Sequence, residues 1–388
     1  MTIAYIGDSL FLGGNMKGKK ELIVDLEPYL DGSPEGSKHA CSRLVSILRA
    51  QSFVIVYDPR VSDIDNDRYL DMMERYFNQP EEVLRKDERS EVYYQVGVSK
   101  GQEKPRDHRA YISTMPVHDW PHITPVDYEG DPRWRFFRQL GERPEQTDFP
   151  ELNGKIPQVI PAGFESEWAS TMDIWGNKML ASVYTIAEMI AEAFQLPKDN
   201  FTQKFAKAPH LIAPNGVNLL DYPEGTVFNG FHYDLNWGTI HGRSHFPGLR
   251  AWPRDGSPFT VSVPKGALLF QVAKQLEWQT GGYFRAGFHE VANLPETVKA
   301  VQEAVRTGRP PIRVSSTVFA HVASDTILQV EEKVLKKQLD IIYHTSEVLD
   351  LPGGEPMASL AKILQMYPPT LAGDQVLQEL EAIGLKKQ

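Results

Sequence analysis

Apolar positions along this chain change their spacing three times, and each change predicts a different kind of structure. In the N-terminal third, "ELIVDLEPYL" reads as a short strand and "KHACSRLVSILRAQ" as an amphipathic helix. "SFVIVYDP" is a β-branched run stopped by a turn, and "DRYLDMMERYFNQPEEVLRK" is helical up to Pro80, with a second helix starting after it. From Arg106 to Pro161 the chain is rich in Pro, Trp and charge with little periodicity, which predicts a long irregular segment over the surface or over a cavity. The strongest helix follows, in "SEWASTMDIWGNKMLASVYTIAEMIAEAFQLPKD". There Met179, Val183, Ile186, Ile190 and Phe194 recur at spacings of three and four, a core stripe that Pro197 ends.

Between Leu211 and Ala323 the pattern becomes short β-rich runs broken by Gly and Pro, among them "GFHYDLNWGTIHG", "GLRAWPRDGS", "FTVSVPKGALLFQVAKQLEW", "YFRAGFHEVANL" and "IRVSSTVFAHVA". Many short strands at close spacing predict a sandwich or barrel, interrupted by one helix in "PETVKAVQEAVRTGRP". Helical spacing returns in "ILQVEEKVLKKQLDIIY" and "DQVLQELEAIGLKK". The reading is therefore α+β. A single domain is expected, with an N-terminal region (1–205), a β core (206–325) and a C-terminal helical extension (326–388).

Composition narrows the partners. A net charge of −10 over 388 residues disfavours nucleic acid, which wants a basic face. Cys41 is the sole cysteine, which excludes an internal disulfide or a Cys-rich metal site and suits a reducing, cytoplasmic setting. Its helical context predicts a small core residue. No run approaches about 18 apolar residues, so no membrane span is expected. The opening "MTIAYIGDSLFLGGN" lacks a basic start and is interrupted by Asp8, so no secretory signal is expected.

The candidate chemistry begins at His232 and Asp234. Two apart on a strand, they face the same side and can share an ion, although a lone His-x-Asp is about what chance supplies. His289, 57 positions on (289 − 232), lies in another strand-like run and can supply a third ligand. Two imidazoles and one carboxylate leave open positions, the arrangement by which non-haem Fe(II) binds a cosubstrate and O2. Arg313 is a planar, always-charged fork suited to a carboxylate, and Ser315 lies two residues on, on the same strand face. Gly281-Gly282 predicts a tight turn before the His289 strand.

On these residues the chain resembles the Fe(II)- and 2-oxoglutarate-dependent dioxygenases of the isopenicillin N synthase-like branch, most strongly over residues 217–320. The His-x-Asp is followed by "GLRAW" where that family carries a Gly-Leu hairpin strand. "PKGALLFQVAKQLEWQTGGYFRAGFHEV" matches its strand–turn–strand passage ending in the distal metal histidine. Arg313-Val314-Ser315 matches the family's Arg-x-Ser, and Tyr222 with Pro223 its tyrosine–proline pair. The resemblance implies a double-stranded β-helix (jelly-roll, cupin-like) core, Fe(II) on His232, Asp234 and His289, and 2-oxoglutarate held by Arg313, Ser315 and Tyr222. It implies O2-dependent oxidation of a small molecule with release of succinate and CO2, by hydroxylation, desaturation or oxidative cyclisation. Asp234 argues against halogenation, which uses a small residue there. Two same-site alternatives stand: an iron oxidase that does not consume 2-oxoglutarate, and a non-catalytic binding module.

The sequence departs from the family pattern at Leu220, where an asparagine is usual, at Arg243, where a glutamine is common, and in the long gap between His289 and Arg313. Around the metal strand, Trp237, His241, Arg243, His245, Arg250 and Arg285 are candidate substrate contacts, their charges predicting an acidic, amino-acid-derived metabolite. Specialised-metabolite cyclases acting on carboxylated amines are one such class. Tyr233 is expected to point away from the ligands by strand parity.

Overall fold

The computed structural model describes residues 22–385 apart from 105, 115, 116, 123–129, 254, 255, 257 and 346–355; the opening segment read for a secretory signal lies outside them. The strands in chain order are β1 (Ile23–Asp25), β2 (Phe53–Tyr57), β3 (Gly97–Lys100), β4 (Trp134–Gln139), β5 (Leu211–Ile212), β6 (Asn215–Asn218), β7 (Val227–His232) and β8 (Gly238–His241). They continue with β9 (Leu249–Trp252), β10 (Phe259–Thr260), β11 (Ala267–Val272), β12 (Phe288–Ala292), β13 (Ile312–Val314), β14 (Thr317–Ala320), β15 (Ile327–Leu328) and β16 (Thr370–Leu371).

Two sheets carry the architecture. The larger runs β1-β2-β11-β8-β14-β5-β4-β6-β13, with β3 added beside β4; the smaller runs β10-β9-β12-β7. All pairings are antiparallel except β1 with β2. Antiparallel strands of alternating character bury one face each against the opposite sheet. Between the sheets lies a cavity lined from the larger one by Arg135, His241 and Thr317, and from the smaller by His232, Leu249 and His289. β1 to β4, from the first 205 residues, are hydrogen-bonded into the same sheet as β5, β6 and β8.

The outer face of the larger sheet is covered by helices Pro34–Gln51, Asp63–Phe77 and Trp168–Ala193. Ser33 and Ser62 cap the first two, each accepting a backbone N–H from the first turn. In the third, Met179, Val183, Ile186 and Ile190 are fully buried, and Phe194 nearly so. Trp175 from that helix donates its indole N–H to Ser316 Oγ at 2.5 Å, tying the helix to the turn behind the cavity. Cys41 packs in the same core.

Four stretches differ from the sequence reading. The segment read as irregular holds β4, six residues of the large sheet. Trp134 and Phe136 enter the core while Arg135 and Phe137 face the cavity, so its charges disguise a strand buried on both sides. "KQLEWQ", read within a β run, is the short helix Lys274–Gln279. "ELIVDLEPYL" is strand only over Ile23–Asp25 before the helical turn Glu27–Leu30. A helix at Pro356–Met366, not anticipated, precedes the C-terminal helix Ala372–Ala382, which the β15–β16 pair anchors. Gly281 and Gly282 turn the chain ahead of β12 at φ 57° and 79°.

The chain after β8 passes close beneath the long helix. A Cβ at Gly242 would stand 2.6 Å from Ser316 Oγ and 2.8 Å from Trp175 Cζ2, and closer still to Asn66. Gly242→Ala is therefore expected to cost about 1–3 kcal/mol by overpacking, read by denaturant unfolding. A variant as stable as the parent would contradict this packing.

Candidate metal centre

His232 ends β7 and His289 sits directly across from it on β12, an antiparallel register pair whose rings approach to 4.2 Å between centroids. Asp234 lies in the turn beyond β7. Its Oδ1 is 3.4 Å from His232 Nε2 and 3.9 Å from His289 Nε2, and one ligand atom from each residue lies within 4.8 Å of the other two. The ring nitrogen of each histidine facing away is engaged. His232 Nδ1 donates to its own strand at Gly230 O (2.6 Å), and His289 Nδ1 lies 3.3 Å from Gly287 O. That leaves both Nε2 atoms on the side of the carboxylate, with the Asn229 amide 3.5 Å from that of His232. Asp234 Oδ2 is occupied by the Thr239 hydroxyl (2.6 Å) and the Gln271 amide (3.2 Å), which turns Oδ1 to the imidazoles.

The electrostatics suit a cation. Burial pushes the Asp234 carboxyl up, but His289 and His232 and the Thr239 hydroxyl outweigh it and hold it well below the usual carboxylate range. Burial pushes His289 down to about 3, so it is a neutral imidazole able to ligate. Another acid–histidine group, Asp71, Glu74 and His245, also meets within ligand distance, but Arg309 donates to Glu74 at 3.1 Å and already supplies its positive charge.

Arg313, on β13, lines the same cavity at 6% exposure. Its Nε donates to Pro247 O (3.1 Å), burial pushes it down to about 10, and among the described residues no carboxylate pairs with it. The other cavity arginines are matched: Arg133 with Glu103 and Asp131, Arg135 with Glu103, and Arg106 with Glu379. Ser315 Oγ accepts from the backbone N and Nδ2 of Asn215, so its hydroxyl proton is available to a further acceptor. His241, on β8, also faces the cavity, with Nδ1 3.1 Å from Thr317 Oγ1.

Other expected contacts are placed elsewhere. Tyr222 packs on Phe228 and is not among the cavity-lining residues. Trp237 is fully buried among Phe205, Phe201 and Phe270, its N–H donated to Gln279, so it is a core residue. Arg243 pairs with Asp67 and Arg250 with Glu290, while Arg285 is exposed; none lines the cavity. Tyr233 does line it, because β7 ends at His232 and strand parity lapses one residue later. Sequence reasoning missed Arg106, His108, Arg133, Arg135, Phe319 and His321 on the cavity wall. A period-two signal was there to find: Arg313, Ser315, Thr317, Phe319 and His321 all line the cavity. Val376, Glu379 and Leu380 of the C-terminal helix, with Ile383 just past its end, complete the wall.

No family model and no curated protein matches the chain. Solved structures do. A protein from Caulobacter crescentus assigned to the 2OG-Fe(II) oxygenase family aligns over 93% of this chain and 98% of its own, at TM-score 0.66 and 17% identity. A full-length Neurospora crassa protein in complex with alpha-KG aligns over 93% and 95%, at TM-score 0.67 and 13% identity. The chain has the 2OG-Fe(II) oxygenase fold. The Arabidopsis thaliana dioxygenase for auxin oxidation 1 aligns over 80% and 96%, at TM-score 0.55 and 15% identity. No helix among the described residues is long and apolar enough to cross a membrane.

The buried imidazoles give the metal-free protein a defined pH response. Burial holds His210, His289 and His321 down to about 3 and His108 to about 4. Each is neutral when folded and takes up a proton on unfolding once the pH falls below its ordinary 6.5. Stability is therefore expected to fall as pH drops from about 6.5 toward 4, by on the order of 1.4 kcal/mol per pH unit for each imidazole. Glu290, pushed up to about 7 by burial, works in the opposite sense over that window and offsets part of the loss. Denaturant unfolding of metal-free protein at pH 7 and 5.5 reads this; equal stabilities would contradict it.

Proposed function

We propose that this protein is an Fe(II)- and 2-oxoglutarate-dependent oxygenase that oxidises a small, carboxylate-bearing molecule. One observation carries the reading: a two-histidine, one-carboxylate cluster and a buried arginine without a carboxylate partner share a single cavity. The unmatched guanidinium is what a carboxylate-bearing ligand needs, and 2-oxoglutarate would supply one. His232, Asp234 and His289 would hold the iron; Arg313 and Ser315 would hold the far carboxylate of 2-oxoglutarate. Bound there, metal and cosubstrate supply oxidation by O2, with succinate and CO2 released.

The remaining wall would orient the substrate. His321 and Phe319 continue the Arg313 strand face, and beside them, on neighbouring strands of the same sheet, stand Leu211 and Phe137. Lys104 and Arg106 are cavity-wall cations next to the C-terminal helix: the Lys104 backbone N–H donates to Ile383 O, and Arg106 is paired with Glu379 and donates to Tyr233 Oη at 2.6 Å. In this reading an acid on the substrate would be met on the cavity wall by Lys104, since Arg106 already has Glu379, and not by Arg243, Arg250 or Arg285, which lie off that wall. The helix Ala372–Ala382 covers that side and would exclude water. Solved structures of the same fold hold small molecules: the Neurospora crassa protein with thymine or 5-formyluracil, and JOX2 with 2OG, Fe and JA.

Arg313→Met is expected to raise the 2-oxoglutarate concentration needed for half-maximal succinate release by roughly 10–100-fold, since a charged hydrogen-bonding partner is worth about 1.5–3 kcal/mol. His289→Ala is expected to abolish iron binding and succinate release together. Unchanged succinate release in either variant would overturn the assignment, and iron-dependent turnover without 2-oxoglutarate would favour the oxidase alternative.

A further inference from the structure

Gln271 interrupts an otherwise apolar strand. Leu268, Leu269, Phe270 and Val272 of β11 are all buried, and the Gln271 side chain is fully buried with them. An amide in such surroundings costs free energy unless its atoms are matched, so its partners show what it is for. Nε2 lies 3.2 Å from Asp234 Oδ2, 3.2 Å from Gly287 O and 2.9 Å from His289 Nδ1. The first two are acceptors for its two N–H bonds. His241 faces the same amide, and the two residues present a matching pair of buried atoms without partners, Gln271 Oε1 and His241 Nε2. One side chain on the larger sheet thus reaches two of the three metal-ligating residues and the imidazole beside them.

Each contact restricts a ligand. With Oδ2 held by Gln271 and Thr239, the Asp234 carboxylate cannot rotate, and Oδ1 stays aimed at the imidazoles. His289 must carry its proton on Nδ1 to ligate through Nε2; Gln271 then cannot donate to that nitrogen and acts on the ring through Gly287 O, the acceptor for the same proton. The Gly287 backbone lies close against the Phe53 ring, where a Cβ would stand only 2.5 Å from it.

We propose that Gln271 is a positioning residue for the metal centre: it sets the carboxylate rotamer of Asp234 and the ring orientation of His289 before the ion arrives. This rests on the iron-site reading above. Gln271 touches neither Arg313 nor Ser315, so its effect should fall on the metal and not on the cosubstrate.

Two variants test it. Gln271→Met keeps the volume and removes the amide; Gln271→Asn keeps an amide but withdraws it by one methylene. Metal-free protein is titrated with Co(II) and read by its visible absorption spectrum, with melting of the metal-free form as the check on folding. Both variants are expected to bind Co(II) 10–100-fold more weakly and with an altered spectrum. At saturating Co(II), 2-oxoglutarate affinity should stay within about threefold of the parent, a separation that a merely loosened core would not produce. A folded variant with parental Co(II) affinity and spectrum overturns the proposal, and Gln271→Asn decides if Gln271→Met does not fold. Failure of the parent itself to bind Co(II) overturns the metal-site reading, and this inference with it.

Discussion

One carboxylate, Asp234, sits between two imidazoles at 7% exposure, and the cavity is organised by the need to keep its charge there. A buried carboxylate is costly unless it is hydrogen-bonded and faces positive charge. Thr239 and Gln271 supply the hydrogen bonds to one oxygen. His289, which burial keeps neutral, cannot supply a full charge to the other, and a divalent cation bound there would complete the balance. The direct β7–β12 register pair brings the two imidazoles together from strands 57 residues apart (289 − 232).

The larger sheet makes this possible by using both faces of the same strands. Trp134 and Phe136 of β4 anchor it in the core under the long helix, while Arg135 and Phe137 build the cavity. Along β13 and β14 the same alternation sends Val314 and Val318 to the core, and Arg313, Thr317 and Phe319 to the cavity. The site therefore stands on strands fixed by apolar packing behind them, which holds side chains more firmly than loops would. On the C-terminal side the wall is a helix docked by specific contacts, including Gln275 to Gln375 at 3.1 Å and Gln375 to Leu235 O.

Much of this was legible because the relevant signals are local and periodic. Helices Pro34–Gln51 and Trp168–Ala193, and β2, β7, β11 and β12, follow from apolar spacing, and the positions of His232, Asp234 and His289 in strand-like runs singled them out. What escaped depends on tertiary partners. β4 was hidden because Arg135 is a cavity group and Arg138 pairs with Asp173 across to the long helix. Trp237 read as a pocket residue because nothing in "DLNWG" shows that Phe201 and Phe205, more than thirty residues earlier, close over it. Arg243 and Arg250 carry the charge expected of substrate contacts, but their acids, Asp67 and Glu290, come from other elements. Gln271 shows the limit most sharply: an amide in an apolar strand has no local pattern, and its meaning lies in the atoms it meets.

The central claim is that one cavity binds Fe(II) and 2-oxoglutarate together, and it is tested most directly without O2. Anaerobic protein is titrated with Fe(II) and 2-oxoglutarate while the visible spectrum is recorded. A charge-transfer band that needs protein, metal and cosubstrate together, and saturates at one equivalent of iron per chain, is the predicted result. Absence of that band at saturating concentrations, or its full appearance in a His232→Ala, His289→Ala double variant, would contradict the account.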